Sequence, residues 1–204
     1  MPQLSFATGA ALLSLLSFLV APERAGAQAT HTLFGVAGSL TIPTGDYHQD
    51  PNGDGYNVGW QGKGLIELEP SPVGVGLRFE ASYGENAANT QLRADLTSVA
   101  GLPLDSKIKQ LGGMVDLIYP LSRSPGSGRA YLLTGLGVYR VSVEVSSGSV
   151  SSDTSGTEFA WSVGAGLRAG RSPLFFEVRY VSVAAFAGLK TNFVPVTAGI
   201  RFRS

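Results

Sequence analysis

The chain has 204 residues, enough for one domain, and its 15 basic and 15 acidic residues leave no net charge. This balance gives no indication of a nucleic-acid or anionic-surface partner. Cysteine is absent, so disulfides are excluded. Glycine is abundant, and beyond the amino-terminal region no segment reaches the roughly 18 apolar residues of a spanning helix, a combination typical of strand-based membrane proteins.

The amino terminus has the pattern of a secretory leader. Ala7–Ala21 is apolar and uncharged, and two small-residue A-x-A sites follow, ending at Ala27 and Ala29. This predicts a signal peptide over residues 1–29, cleaved after Ala27 or Ala29, and a barrel domain over residues 30–204. The preceding segment lacks Lys and Arg, a departure from the usual leader. An uncleaved anchor helix is the alternative, which the short apolar run disfavours.

After the leader, apolar and polar residues alternate with a period of two, which predicts strands. Eight such segments follow in chain order: Leu33–Pro43, Tyr56–Leu68, Val73–Tyr83, Leu111–Tyr119, Tyr131–Val145, Glu158–Gly170, Phe175–Tyr180 and Val194–Phe202. The fifth is the least regular. Placing Tyr131, Leu133 and Tyr139 on its apolar face leaves Leu132, Leu136 and Val138 on its polar face.

The polar face of these strands carries Arg, Glu and Gly in mid-strand, whereas the apolar face is continuous and aromatic. A soluble lipid-binding barrel would place charges outside, but a membrane barrel turns its apolar face to lipid and pairs its charges inside. The predicted inward charges are Lys63, Arg78, Arg140, Arg168, Arg179, Arg201, Glu67, Glu80, Asp116, Glu144, Glu158 and Glu177. Because the two signs balance and an eight-stranded lumen is narrow, we expect a plug of ion pairs rather than an acid/base centre or ion path.

The predicted connections alternate between short and long. Short turns with Ser-Pro occupy Glu69–Gly74, Pro120–Arg129 and Ala169–Leu174, and long loops occupy Thr44–Gly55, Glu85–Ser106, Ser146–Thr157 and Val183–Asn192. Outer-membrane barrels place short turns in the periplasm and long loops outside the cell. The sequence therefore predicts an all-β, eight-stranded, antiparallel, transmembrane up-and-down barrel with this orientation.

Aromatic residues near the predicted strand ends indicate an interfacial girdle. They are Tyr83, Tyr119, Tyr131, Phe159, Trp161, Phe193 and Phe202.

Several segments resemble a known family. FGVAGSLTIPTGDY, GVGLRFEASY, SVGAGLRAG, FFEVRY and FVPVTAGIRF are similar to strands of the small eight-stranded outer-membrane barrels related to OmpA and OmpX. The resemblance covers nearly all of the mature chain and implies a fold more than an activity. It also implies that the terminal aromatic, here Phe202 followed by Arg203 and Ser204, is read by the outer-membrane assembly machinery.

Sites for chemistry are few. Asp50, Asn52 and Asp54 followed by Gly55 match the start of a calcium loop, but the twelfth position is Gln61 and an ordinary hairpin turn is favoured. His31 and His48 are the only histidines. Barrels resembling the lipid A deacylase type need a histidine near the carboxyl end, where this chain has none.

These observations predict a non-enzymatic integral protein of the bacterial outer membrane with a structural or surface-contact role. Its expected partners are outer-membrane lipid and, during biogenesis, periplasmic chaperones and the assembly machinery. No cofactor and no nucleic acid is expected, and the sequence does not name an extracellular ligand. The alternatives are a narrow pore for small solutes and a secreted soluble barrel that binds an apolar ligand.

Overall fold

The computed structural model describes residues 32–48, 55–68, 74–121, 129–148, 150–170, 172–186 and 189–203. The predicted signal peptide and the acidic turn with Asp50, Asn52 and Asp54 lie outside these residues.

Eight antiparallel strands close into a barrel in which each strand pairs with the next and β8 returns to β1. The strands are β1 (Thr32–Gly45), β2 (Gly59–Leu68), β3 (Gly76–Ala87), β4 (Asp105–Pro120), β5 (Arg129–Ser147), β6 (Val150–Arg168), β7 (Leu174–Phe186) and β8 (Leu189–Arg203). Closure pairs the backbone groups around the whole wall, which a strand needs in order to cross lipid. The predicted fold class is confirmed.

The strand register sets how narrow the barrel is. The row of paired residues that starts at Phe34 of β1 passes through Ile66, runs around the barrel to Asn192, and meets β1 again at Thr44. This shift of ten residues along β1 corresponds to a strand tilt of about 40° and a backbone radius of about 8 Å. A lumen of this size is filled by side chains.

The outward face is an apolar belt. Exposed side chains run from Phe202 at the end near the termini to Trp60 at the opposite end, and with the tilt above the belt is about 25 Å tall. Five residues of the predicted girdle project outward, 39–57% exposed: Tyr83, Tyr119, Phe159, Trp161 and Phe202. This arrangement is the reverse of a soluble lipid-binding barrel.

Two residues predicted for the girdle, Tyr131 and Phe193, are instead in the lumen and 1% exposed. The register explains Tyr131, because it lies opposite Gly166 on β6 and its ring fills the space that a side chain there would occupy. Phe193 shares the inward side of β8 with Thr197 and packs edge-on against Tyr139, with ring centroids 5.7 Å apart.

Two predicted long loops are mostly strand. β5 continues to Ser147 and β6 begins at Val150, so the predicted loop Ser146–Thr157 is a tight hairpin. The predicted loop Val183–Asn192 likewise carries the ends of β7 and β8. Period-two alternation does not mark the extension of β5 and β6, because beyond the membrane both faces of a strand meet water.

The predicted loop Glu85–Ser106 contains a helix, α1 (Thr90–Ala100), which sequence reasoning missed. The side chain of Asn89 caps it by accepting a hydrogen bond from the Leu92 amide at 2.8 Å. Gly101, with φ of 69°, ends it in the left-handed conformation. In the described part of the chain, no helix has the length and apolar character needed to traverse a bilayer.

Glycines on the inner face make room for large side chains of neighbouring strands. A Cβ placed on Gly112 would come within 3.0 Å of the Tyr139 ring, and one on Gly166 would do the same with Tyr131. Both pairs are directly opposite in the register. The abundance of glycine in the sequence therefore reflects, in part, packing inside a narrow barrel.

Candidate functional site: the charged lumen and the rim opposite the termini

A network of ion pairs fills the half of the lumen nearer the chain termini. Seven of the twelve charged residues predicted to face inward are buried there: Lys63, Glu67, Arg78, Glu80, Asp116, Glu177 and Arg179. Arg168 and Arg201 join the network at its open end, each with 11% of its side chain exposed. Seven of the eight strands contribute a member, because Tyr131 of β5 is also part of it.

Arg179 on β7 holds three carboxylates together. Its guanidinium nitrogens lie 2.9 Å from Glu80, 3.0 Å from Asp116 and 2.7 Å from Glu177. Glu80 and Asp116 belong to β3 and β4, so two of these contacts cross the lumen rather than follow the wall. Lys63 adds a second cation to Glu80 at 3.1 Å.

Arg78 on β3 makes a second crossing. It lies 2.5 Å from Glu177 of β7 and 3.0 Å from Glu67 of the neighbouring strand β2. The Tyr131 hydroxyl donates to the same Glu177 oxygen at 2.5 Å. Sequence reasoning placed Tyr131 in the girdle, although the glycines on its neighbouring strand could have indicated an inward ring.

Two residues predicted to face inward, Arg140 and Glu144 on β5, face outward. Arg140 is exposed and donates to Ser155 at 3.0 Å, and Glu144 pairs with Lys109 on the outer surface. The reason is the register of β5, where Tyr139 and Val141 are buried and Leu136 and Val138 meet the outside. Glu158 faces inward from β6 as predicted, but it is half-buried and lies beyond the ion-pair network.

The other half of the lumen is mainly apolar on one side and polar on the other. Its apolar residues form one cluster: Tyr47, Ile108, Met114, Tyr139, Val141, Ala160, Val181, Val183 and Phe193. Opposite them, short polar side chains bond across strands, as Ser39 does with Thr197 at 2.8 Å and Gln61 with Ser82 at 3.3 Å. This half of the lumen is therefore packed as well.

The rim at this end is closed by residues at the strand ends and in the loops that follow them. Asn86 donates to the carbonyls of Thr41 at 3.1 Å and Asn57 at 2.9 Å. Tyr56 packs edge-on against Tyr47, with ring centroids 5.6 Å apart. Burial raises the pKa of the Tyr56 phenol, and its hydrogen bond with Ser106 acts in the opposite direction. These contacts fix the start of the loops on the barrel.

A small sheet projects beyond the apolar belt at the same end. It consists of the ends of β4, β5 and β6, paired from Asp105 with Ser146 and from Ser147 with Val150. β6 pairs with β7 only from Ala160 onward, so Val150–Phe159 has a partner strand on one side alone in the described structure. The projecting sheet thus has an open edge.

Groups for catalysis or metal binding are sparse. Within the described ranges no three His, Asp or Glu side chains are placed to hold a metal ion. His48 is exposed just after β1, and the four buried carboxylates of the lumen, Glu67, Glu80, Asp116 and Glu177, are engaged with arginine and lysine.

An apolar outer belt, an interior of ion pairs and closure by eight tilted strands define a transmembrane β-barrel of the outer-membrane class. The family described as outer membrane protein beta-barrel domain matches residues 10–202. The chain belongs to this family, which points to the bacterial outer membrane as its location.

Solved structures agree on the fold. The attachment invasion locus protein Ail of Yersinia pestis is 15% identical with a TM-score of 0.54, covering 86% of this chain and 100% of Ail. Neisserial surface protein A is 15% identical with a TM-score of 0.55, covering 85% of this chain and 97% of that one. A major outer membrane protein from Thermus thermophilus is 10% identical with a TM-score of 0.53, covering 87% of this chain and 100% of that one. No curated protein matches the sequence.

Proposed function

We propose that this protein is a non-conducting, non-enzymatic barrel that acts through its extracellular surface. The observation that carries the proposal is the pair of arginines that cross the lumen, Arg78 to Glu177 and Arg179 to Glu80. These contacts connect β3 with β7, on opposite sides of the wall, and the side chains are at most 2% exposed. A solute crossing the lumen would have to separate buried ion pairs, which costs several kcal/mol for each charge left alone.

Surface contact is assigned to the end that carries α1 and the projecting sheet. The edge segment Val150–Phe159 contains no proline or lysine, and its charged side chains are Asp153 and Glu158. Such an edge is suited to pairing with an extended polypeptide. The names of two structural neighbours, attachment invasion locus protein and Neisserial surface protein A, describe proteins with surface roles.

Single-channel recording tests the closed lumen. The full-length mature protein is refolded into a planar bilayer, and no discrete conductance steps are expected. Steady, discrete channels would contradict a plugged barrel. They would favour the second candidate, a narrow solute pore, which the polar side chains Ser39, Gln61 and Ser82 along one side of the lumen would then line.

Protease treatment of intact cells tests the orientation. The Ser147–Val150 hairpin lies at the tip of the projecting sheet and is expected to be cut from outside the cell. Cutting only after the outer membrane is permeabilised would place this end in the periplasm. The proposed partners in biogenesis are the periplasmic chaperones and the outer-membrane assembly machinery.

A further inference from the structure

Among the described residues, those at the end of the barrel near the termini include more arginine than the acidic residues there balance. Arg129, Arg168 and Arg201, here called the arginine mouth, occupy the inward side of β5, β6 and β8. Arg129 is two residues before the buried Tyr131, and Arg201 is four residues after the buried Thr197. In the described structure, Glu67 is the carboxylate that pairs with Arg168 and Arg201.

Three arginines share the single negative charge of Glu67, which cannot neutralise all of them. Its two oxygens accept from Arg78 at 3.0 Å, from Arg168, and from Arg201 at a long 3.5 Å. The Nε atoms of Arg168 and Arg201 are buried without a hydrogen-bond partner. Since each guanidinium carries five N–H donors, most of the donors at this mouth are not used by Glu67.

The strand register places two of these positive charges next to each other. Arg129 lies directly opposite Arg168, and like charges in that position destabilise a sheet unless an anion lies between them. Arg129 is exposed and makes no ion pair within the described part of the chain. A cation–π contact holds the guanidinium of Arg168 in position, since this group lies 4.8 Å from the centre of the Tyr131 ring.

We propose that the arginine mouth binds a phosphate group, supplied either by the headgroup of an anionic phospholipid or by a soluble phosphate. The planar guanidinium presents paired donors that match phosphate oxygens, and several converge here. Tyr119 and Phe202 project outward at the same end of the belt, so the mouth lies at the level of the lipid headgroups. The bound phosphate provides the counter-charge that Glu67 alone does not.

The test uses the full-length mature protein refolded in a zwitterionic detergent without phosphate. Inorganic phosphate is titrated by calorimetry, with sodium chloride at equal ionic strength as the blank, and lyso-phosphatidylglycerol is titrated in a second arm. The key variant is Arg129→Gln, because Arg129 has no ion pair in the described structure whose loss would affect folding. Arg140→Gln, an exposed arginine at the opposite end, is the matched control.

Binding of either probe, weakened about tenfold in Arg129→Gln and unchanged in Arg140→Gln, is the expected result. Binding of lyso-phosphatidylglycerol alone identifies the lipid headgroup as the source, and binding of inorganic phosphate as well identifies a soluble phosphate. The inference is overturned if neither probe binds beyond the chloride blank. Equal weakening in both variants also overturns it, because binding would then reflect overall charge.

Discussion

Replacing Arg179 by methionine removes the central cation of the lumen while keeping an unbranched side chain of similar length. Glu80 retains Lys63, and Glu177 retains Arg78 and the Tyr131 hydroxyl. Asp116 loses the only ion pair that it makes within the described structure. The variant therefore leaves one fully buried carboxylate without a cation.

Removing one partner of a buried ion pair costs about 3–5 kcal/mol, and we expect Arg179→Met to lower the free energy of unfolding by this amount. Adding Asp116→Asn removes the uncompensated charge and should recover about 1–3 kcal/mol. The control is Arg140→Met, because Arg140 is exposed and holds one hydrogen bond to Ser155. Its effect should stay within about 0.5 kcal/mol.

The measurement is urea unfolding of the refolded protein in phospholipid vesicles, followed by tryptophan fluorescence, with the unfolded and folded forms separated on an unheated gel. If Arg179→Met and Arg140→Met cost the same, the buried network does not stabilise the barrel. If Asp116→Asn deepens the loss instead of reversing part of it, Asp116 is not the carboxylate left uncompensated.

Three further outcomes are expected. Val163 lies on the outward face near the middle of the belt, and Val163→Arg should lower the free energy of unfolding by about 2–4 kcal/mol. Val75 lies near the end of the belt, and Val75→Arg should cost at most about 1 kcal/mol. Equal losses of the two variants in vesicle unfolding would contradict the depths assigned to these residues. Gly166→Ala should cost about 1–3 kcal/mol because its Cβ meets the Tyr131 ring, while Gly38→Ala, which meets nothing within 4 Å, should be neutral or stabilising. The unboiled protein should migrate differently from the boiled protein on a detergent gel, and identical mobility would argue against a closed barrel.

The alternation of residues was sufficient to assign most faces correctly. Where apolar and polar residues separate cleanly, as in Val73–Tyr83, only one register keeps Arg78 and Glu80 away from lipid. In β5 both faces are apolar, with Leu132 beside Tyr131 and Leu133, so the pattern does not distinguish them. The neighbouring strand β6 determines which face of β5 points inward, since Gly166 leaves space for the Tyr131 ring on the inside alone.

The prediction of loops failed for a related reason. Ser146–Thr157 is rich in serine and threonine, and the sequence predicted a loop because no apolar face is present. Its backbone nonetheless pairs through to the Ser147–Val150 hairpin, because β5 and β6 already lie side by side when they leave the belt. Hydrogen bonding between strands extends this pairing without any hydrophobic pattern.

The sequence by itself therefore determined the class of fold, the number of strands and most of the residues that face lipid, because transfer of side chains between water and lipid acts residue by residue. Only the tertiary structure decided which charges meet. Arg78 and Glu177 are far apart in the chain and lie on strands that do not pair, and they come together because eight strands with a ten-residue shift close around a narrow lumen. The crossing ion pairs and the unbalanced arginines at the mouth both follow from that closure.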